Sequence, residues 1–351
     1  MSRPIGYYVH HHGDGHRQRA LTIAPHLHGR LVLLGTGLSG RTGDVPTIDL
    51  PDDRMPDDAF DGRDCSTSRP EALHYAPTDH DGIRRRIATV AGWIADACPA
   101  LMIVDVSAEI AMLSRLASVP TVPVRLNGLR DDAPHRQMFA AADAILAPFH
   151  HELDDRGVTA DVRAKTVYAP GLTPPPVVTG TNDRQVLVVI GRGGGTSNGE
   201  QWIAAARAVP DREWRVIGPC TITKDIPSNL SFSGWIDDPS AAIAAAGVIV
   251  GAAGDGIVSA VLQSGKPFVC IPEDRPFDEQ RSKARGLAAS AAAVVCPSIP
   301  EPDAWAQLIG QAEALDPAAR TRLHDPHGPR HLADRLLQLA DGHNSDGQRS
   351  A

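Results

Sequence analysis

The sequence predicts an α/β protein of two domains, each built on a parallel sheet and facing the other across a cleft. Three observations predict it. Short apolar runs alternate with helical patterns from end to end, a proline-rich connector breaks the alternation near the middle, and each half opens on a strand that runs into a glycine-rich turn and a helix. Runs that are apolar on both faces and separated by amphipathic helices are the signature of parallel strands in βα units.

In the first half IGYYV precedes RALTIAPHL, LVLLG follows, and the long IRRRIATVAGWIADA leads into LMIVDV; IAMLSRLA then precedes TVPVRL, and QMFAAAD precedes AILAPF. Residues 169–185 carry four prolines, two glycines and no periodicity, the composition of a stiff connector. After it VLVVIG, WRVIG, VIVGA and PFVCI restart the alternation with helical segments between them. The expected organisation is a first domain over 1–170, a linker over 171–185, a second domain over 186–328, a terminal helix over 329–342 and a flexible tail over 343–351.

Composition narrows the function classes. With 351 residues the chain has room for two domains, and its formal charge of −8 offers no basic field for a phosphate backbone, so nucleic acid is not an expected partner. The run Arg84, Arg85, Arg86 reads as a solvated helix face. Cys65, Cys98, Cys220, Cys270 and Cys296 form no CxxC pair, which points to reduced thiols in a cytosol. The chain starts strand-like, and no apolar run approaches the ~20 residues that span a bilayer, so a cytoplasmic protein with at most peripheral membrane contact is expected.

Residues 251–280, GAAGDGIVSAVLQSGKPFVCIPEDRPFDEQ, carry the strongest chemical signal. A helix start built on Gly251, Gly254 and Gly256 lets backbone N–H groups approach an anion, and the helix dipole adds about 0.3–1 kcal/mol of attraction. That is a cradle for a diphosphate. The proline-bounded loop ending in Asp278, Glu279 and Gln280 brings carboxylates and an amide to the same sheet edge, where they could hold sugar hydroxyls. The turn Gly191, Arg192, Gly193, Gly194, Gly195, Thr196 is rich in donors but lacks the lysine of a P-loop, and Arg192 could neutralise a leaving phosphate.

In the first glycine turn, His10, His11, His12, Asp14, His16 and Arg19 crowd the end of strand one. Histidine accepts a proton near neutral pH, so His16 at the helix start is the expected general base, and Asp105 at the end of LMIVDV is placed to orient it or to cap the next helix. His12, Asp14, Arg19, Arg125 and Asn127 are expected on the acceptor side, with residues 49–72 as an acceptor-side loop or a surface insertion. The alternation His10, His12, Asp14, His16 also suits a metal, but Gly15 breaks the spacing of metallo-hydrolases, and no metal is expected.

HHGDGHRQRA, GRGGGTS, GWIDD, GAAGDGIVSAVLQSGKP and PFDEQRSKA occur in the order found in GT-B fold glycosyltransferases, with two Rossmann-like domains. The chain resembles most the family 28 UDP-N-acetylglucosamine transferases of bacteria, and is similar to the macrolide and glycolipid transferases. The resemblance implies a hexosyl transferase that uses a nucleotide sugar, with UDP as the expected nucleotide, as co-substrate and needs no cofactor. It places His16 as base or acceptor-positioning group, Gly193 to Thr196 on the diphosphate, Trp235 and Ile236 at the base, Gly254 to Ile257 on the phosphate, and Glu279 with Gln280 on the sugar. The acceptor stays open between lipid-linked and small-molecule hydroxyls. Two places depart: Ala260 stands where the family usually has a ribose-binding glutamate, and Ala252 and Ala253 stand where relatives often carry His, Arg or Ser. A nucleotide-sugar hydrolase and a non-catalytic sugar-nucleotide binder therefore remain as alternative readings.

Overall fold

The computed structural model describes residues 2–10, 15–54, 70–174, 180–191, 197–222 and 225–347. The first domain runs β1 (Ile5–Tyr8), α1 (Gly15–Ile23), β2 (Leu31–Gly35), β3 (Thr47–Asp49), α2 (Asp81–Ala97), β4 (Leu101–Asp105), α3 (Ala108–Leu116), β5 (Thr121–Val124), α4 (Ala133–Ala141), β6 (Ile145–Ala147), α5 (Ala160–Lys165) and β7 (Thr166–Tyr168). Its strands form one sheet in the order β3-β2-β1-β4-β5-β6-β7, all parallel.

The second domain runs β8 (Asn182–Val189), β9 (Ser197–Asn198), α6 (Gly199–Ala208), β10 (Glu213–Ile217), β11 (Cys220–Thr221), β12 (Leu230–Phe232), α7 (Ser240–Ala245), β13 (Ala246–Gly251), α8 (Asp255–Ser264), β14 (Phe268–Cys270), α9 (Glu279–Ala289), β15 (Val294–Val295), α10 (Trp305–Ala314) and α11 (Pro317–Thr321). Six of its strands form a second parallel sheet, β12-β10-β8-β13-β14-β15, with β9 and β11 paired beside it. Both sheets carry helices on both faces, so their central strands are buried on both sides, as continuous apolar runs require.

Helix starts follow local chemistry. Ser107 Oγ accepts from the Ile110 N–H at 3.3 Å, and Asp132 Oδ1 accepts from the His135 N–H at 3.0 Å with Pro134 in the first turn. The last helix, α12 (Gly328–Gly347), extends past the expected end at 342 and returns to the first domain. Leu332, Leu336 and Ala340, four residues apart, form one stripe that packs on Ile23, Leu27 and Leu101. Arg86 corrects the expectation of a solvated basic face. It is buried, donates to Tyr8 Oη and Pro51 O, and pairs with Asp53 at 3.1 Å, whereas Arg84 and Arg85 are exposed.

The domains meet over a continuous apolar core in which Ala147, Phe149 and Leu153 of the first domain join Val258, Val261, Ala284 and Leu287 of the second. At its edge the loop from β14 to α9 docks through Phe277, whose ring lies 4.8 Å beneath the Arg130 guanidinium and 4.8 Å from the His135 ring. Gly128 makes this approach feasible: its φ is +91°, and an added Cβ would sit 2.2 Å from Phe277 O. Gly128→Ala is therefore expected to cost about 1–3 kcal/mol in urea unfolding. Gly92→Ala, in an exposed stretch of α2 with nothing near the new methyl, is expected to be neutral or stabilising by up to about 1 kcal/mol. Equal effects at the two sites would contradict this account of the interface.

Candidate active site in the interdomain cleft

Parallel sheets present their ligand sites at the carboxyl ends of their strands. In the first domain that edge carries His16 after β1, Asp105 at the end of β4, and Arg125 and Asn127 after β5. In the second it carries Gly191 after β8, Trp235 and Ile236 beyond β12, Gly254 after β13, and the 271–278 loop after β14.

Asp105 anchors the first set. Its side chain is fully buried; Oδ2 accepts from Tyr7 Oη at 2.9 Å and from Arg19 Nη1 at 2.7 Å, and Oδ1 lies 2.9 Å from His16 Nδ1. The two atoms are within ion-pair distance but not aligned as a hydrogen bond, and neither has a hydrogen-bond partner among the described residues. A small turn of the ring that aims Nδ1–H at this carboxylate would leave the Nε2 lone pair of His16 as the acceptor for a substrate proton. Burial alone would raise the Asp105 carboxyl, but the Arg19 guanidinium and then His16 override it and hold the group well below the usual carboxylate range. The Tyr7 hydroxyl goes the other way, pushed well above its ordinary value by burial and by Asp105. Val106, next in the chain, has φ +54°, a left-handed conformation that costs a β-branched residue about 1–3 kcal/mol. The strain turns the chain sharply between the carboxylate and the Ser107 cap of α3.

Across the cleft α8 begins at Asp255 with Gly254 as N-cap and no side-chain cap, so no side chain competes for the first helical N–H groups. The Asp255 carboxylate bridges the domains: Oδ2 accepts from Arg19 Nη2 at 3.1 Å, and Oδ1 pairs with Lys283 Nζ. Burial would raise Asp255, yet Lys283 and Arg19 keep it lowered and ionised. Gly256 and Ile257 follow in the first turn, and Ala260 is buried in the apolar core of the second domain.

Several expected ligand contacts are otherwise engaged. Arg19 is 6% exposed and lies between two carboxylates, so it does not present a free cation to an acceptor. Arg125 is buried in a two-pronged pair with Asp154, both contacts at 2.8 Å, with its guanidinium 5.7 Å from the Phe149 ring. Asn127 is buried as well and donates to Leu153 O at 2.7 Å. Gln280 Oε1 accepts from the N–H groups of Ala253 and Glu273, which ties the two ligand loops to each other rather than to a sugar. Glu279 pairs with Arg130 at 3.2 Å, and Asp278 with Arg285 at 2.8 Å. Trp235 is 40% exposed and donates through Nε1 to Asp237, Ile236 packs on the second core, and Asp238 accepts from the Ser240 N–H. His12, Asp14, Arg192, Gly193, Gly194, Gly195 and Thr196 lie outside the described residues.

The sequence reading missed Lys283 and the trio His74, Asp132, His135. Lys283 stands in the quoted PFDEQRSKA, but its partner Asp255 lies on another helix, so no local spacing signals its role. Asp132 accepts from His135 Nδ1 at 2.7 Å and contacts His74 Nε2 at 3.1 Å, a ligand set that could hold a metal. The Arg130 guanidinium, 3.5 Å from His135 Nε2, opposes a second cation there. Burial, and then the charges of Arg130 and His74, push His135 down to about 3.

No model of a protein family matches the chain, and no curated protein sequence matches it. Solved structures do. Spinosyn forosaminyltransferase SpnP is 13% identical over 97% of this chain and 100% of its own, with a TM-score of 0.73. A structure of LpCGTa in complex with UDP is 14% identical over 96% of this chain and 99% of its own, with a TM-score of 0.69. MurG of Acinetobacter baumannii is 17% identical over 95% and 99%, with a TM-score of 0.63. The likeness shows the fold: two parallel-sheet α/β domains in the GT-B arrangement.

His135 gives the site a pH signature. Its folded value lies below the unfolded one, so the stability of its neutral form is complete above about pH 6.5 and is lost as pH falls towards its folded value of about 3. Unfolding free energy is expected to fall by up to about 1.4 kcal/mol per pH unit from this group across that window. His135→Gln should flatten the slope between about pH 6 and 4 in urea titrations, while the steeper loss below about pH 4, from Asp105 and Asp255, persists. An unchanged slope in the variant would contradict the assignment.

Proposed function

We propose that the protein transfers a sugar from a nucleotide diphosphate donor to an acceptor hydroxyl, with His16 as general base. The observation that carries the proposal is the His16–Asp105 pair, 2.9 Å apart, placed across the interdomain cleft from the uncapped start of α8. The fold supports the same class, since solved structures with this architecture are named as glycosyltransferases and include complexes with UDP and thymidine diphosphate.

In the proposed reaction the acceptor hydroxyl gives its proton to His16 Nε2 as its oxygen bonds to the anomeric carbon. The bond from that carbon to the diphosphate oxygen breaks, and the electron pair leaves with the diphosphate. Asp105 stabilises the imidazolium that forms. The N–H groups of Asp255, Gly256 and Ile257, with the α8 dipole, receive the growing negative charge, which is work a metal cation does elsewhere. Gly193 to Thr196 and the Trp235–Ile236 loop are proposed for the diphosphate and the base. Because Ala260 is buried and apolar, the ribose is not gripped by a carboxylate at that position, and the proposal covers uridine and thymidine donors alike.

Saturating UDP or dTDP is expected to stabilise the protein, by about 2.7 kcal/mol at 100 times Kd. His16→Ala should lower transfer by about 10²–10⁴-fold with little change in nucleotide affinity. Release of free sugar from the donor at the same rate with and without acceptor, lost in His16→Ala, would replace transfer with hydrolysis. Absence of any stabilisation by UDP, dTDP and GDP compounds would remove the donor assignment.

A further inference from the structure

Five charged or titratable side chains form an unbroken chain across the cleft: His16, Asp105, Arg19, Asp255 and Lys283. The first three belong to the first domain and the last two to the second. We propose that Asp255 and Lys283 are positioning residues that act through Arg19 on the His16–Asp105 pair, so that docking of the second domain completes the base. The catalytic meaning of this relay rests on the proposed transferase function; its existence does not.

Arg19 gives Nη1 to Asp105 at 2.7 Å and Nη2 to Asp255 at 3.1 Å, dividing its donors between two carboxylates. Without Asp255 a guanidinium is free to turn both nitrogens onto Asp105 in a two-pronged pair. Asp105 would then be more fully neutralised by Arg19 and less able to stabilise a protonated His16. Lys283 has the opposite sense, because it draws on the Asp255 charge from the far side and limits the pull of Asp255 on Arg19. Arg19, Asp105 and Lys283 are 6%, 0% and 1% exposed, so water screens these interactions little. Among the described residues, the groups facing His16 are Asp105 from β4, with Tyr7 from β1 behind it, His10 beyond the end of β1 with ring centroids 5.7 Å apart, and Arg19 on its own helix. From the second domain they are Asp255 and, beyond it, Lys283.

The test is an NMR titration of histidine-labelled full-length protein with no nucleotide or acceptor present, using His16→Gln to assign the His16 signal. Asp255→Asn removes a negative charge and releases Arg19 to Asp105, so the His16 midpoint should fall by about half a unit or more. Lys283→Met removes a positive charge, and the midpoint should rise by a similar amount. The double variant should stay within about 0.2 unit of Asp255→Asn, because Lys283 acts only through the Asp255 carboxylate; a return to the parent value would mean that the two charges act on His16 directly through space and would overturn the relay. Asp255→Glu, which keeps the charge, should stay near the parent and supports the relay if either neutral variant does not fold. Single variants that move the midpoint in the same direction, or leave it in place, overturn the relay, as does an Asp255→Glu shift as large as that of Asp255→Asn. Opposed midpoints in a protein that turns over no nucleotide sugar would refute the transferase function alone, whereas turnover with unmoved midpoints would refute the relay alone.

Discussion

One buried guanidinium holds the site together. Arg19, on α1, binds carboxylates from both domains, Asp105 on the strand edge of one and Asp255 at the helix start of the other. Each of these charges would be expensive to bury alone. They are tolerated because they alternate in sign and touch in sequence, from Asp105 through Arg19 and Asp255 to Lys283. Removing any link leaves its neighbour uncompensated, which makes the relative placement of the two domains a condition for a stable site.

The apolar interface sets that placement. Phe149 and Leu153 lie in the same core as α8 and α9, and Phe277 is held against Arg130 and His135 by a loop whose backbone at Phe277 and Asp278 is left-handed. Packing of this kind is close to rigid, so it can hold a carboxylate and a guanidinium from different domains at hydrogen-bonding distance. The same loop is tied to the turn before α8 through Gln280, which links the interface to the helix start.

The fold was legible in the sequence because its signals are local. Apolar runs such as LMIVDV and VIVGA, the proline-rich connector, and glycines before helices each report a strand, a break or a turn without reference to distant residues. His16 and Asp105 were legible as candidates for the same reason, since βα topology places strand ends on one edge. What escaped was partnership. Nothing in the sequence around Arg125 says that Asp154 will take both its nitrogens, or that Gln280 will bond the backbone of Ala253. Arg86 was misread because a basic run looks solvated until the loops that cover it, here around Pro51 and Asp53, are in place. Lys283 was passed over because its partner lies 28 residues away on another helix.

The account makes the start of α8 the seat of a leaving diphosphate, with His16 facing it from the other domain. A crystal structure with a bound nucleoside diphosphate tests this most directly. The account predicts terminal phosphate oxygens within hydrogen-bonding distance of the N–H groups of Asp255 to Ile257, and the His16 imidazole on the opposite wall of the same space. A nucleotide seated elsewhere, with the α8 start left to solvent, would contradict it.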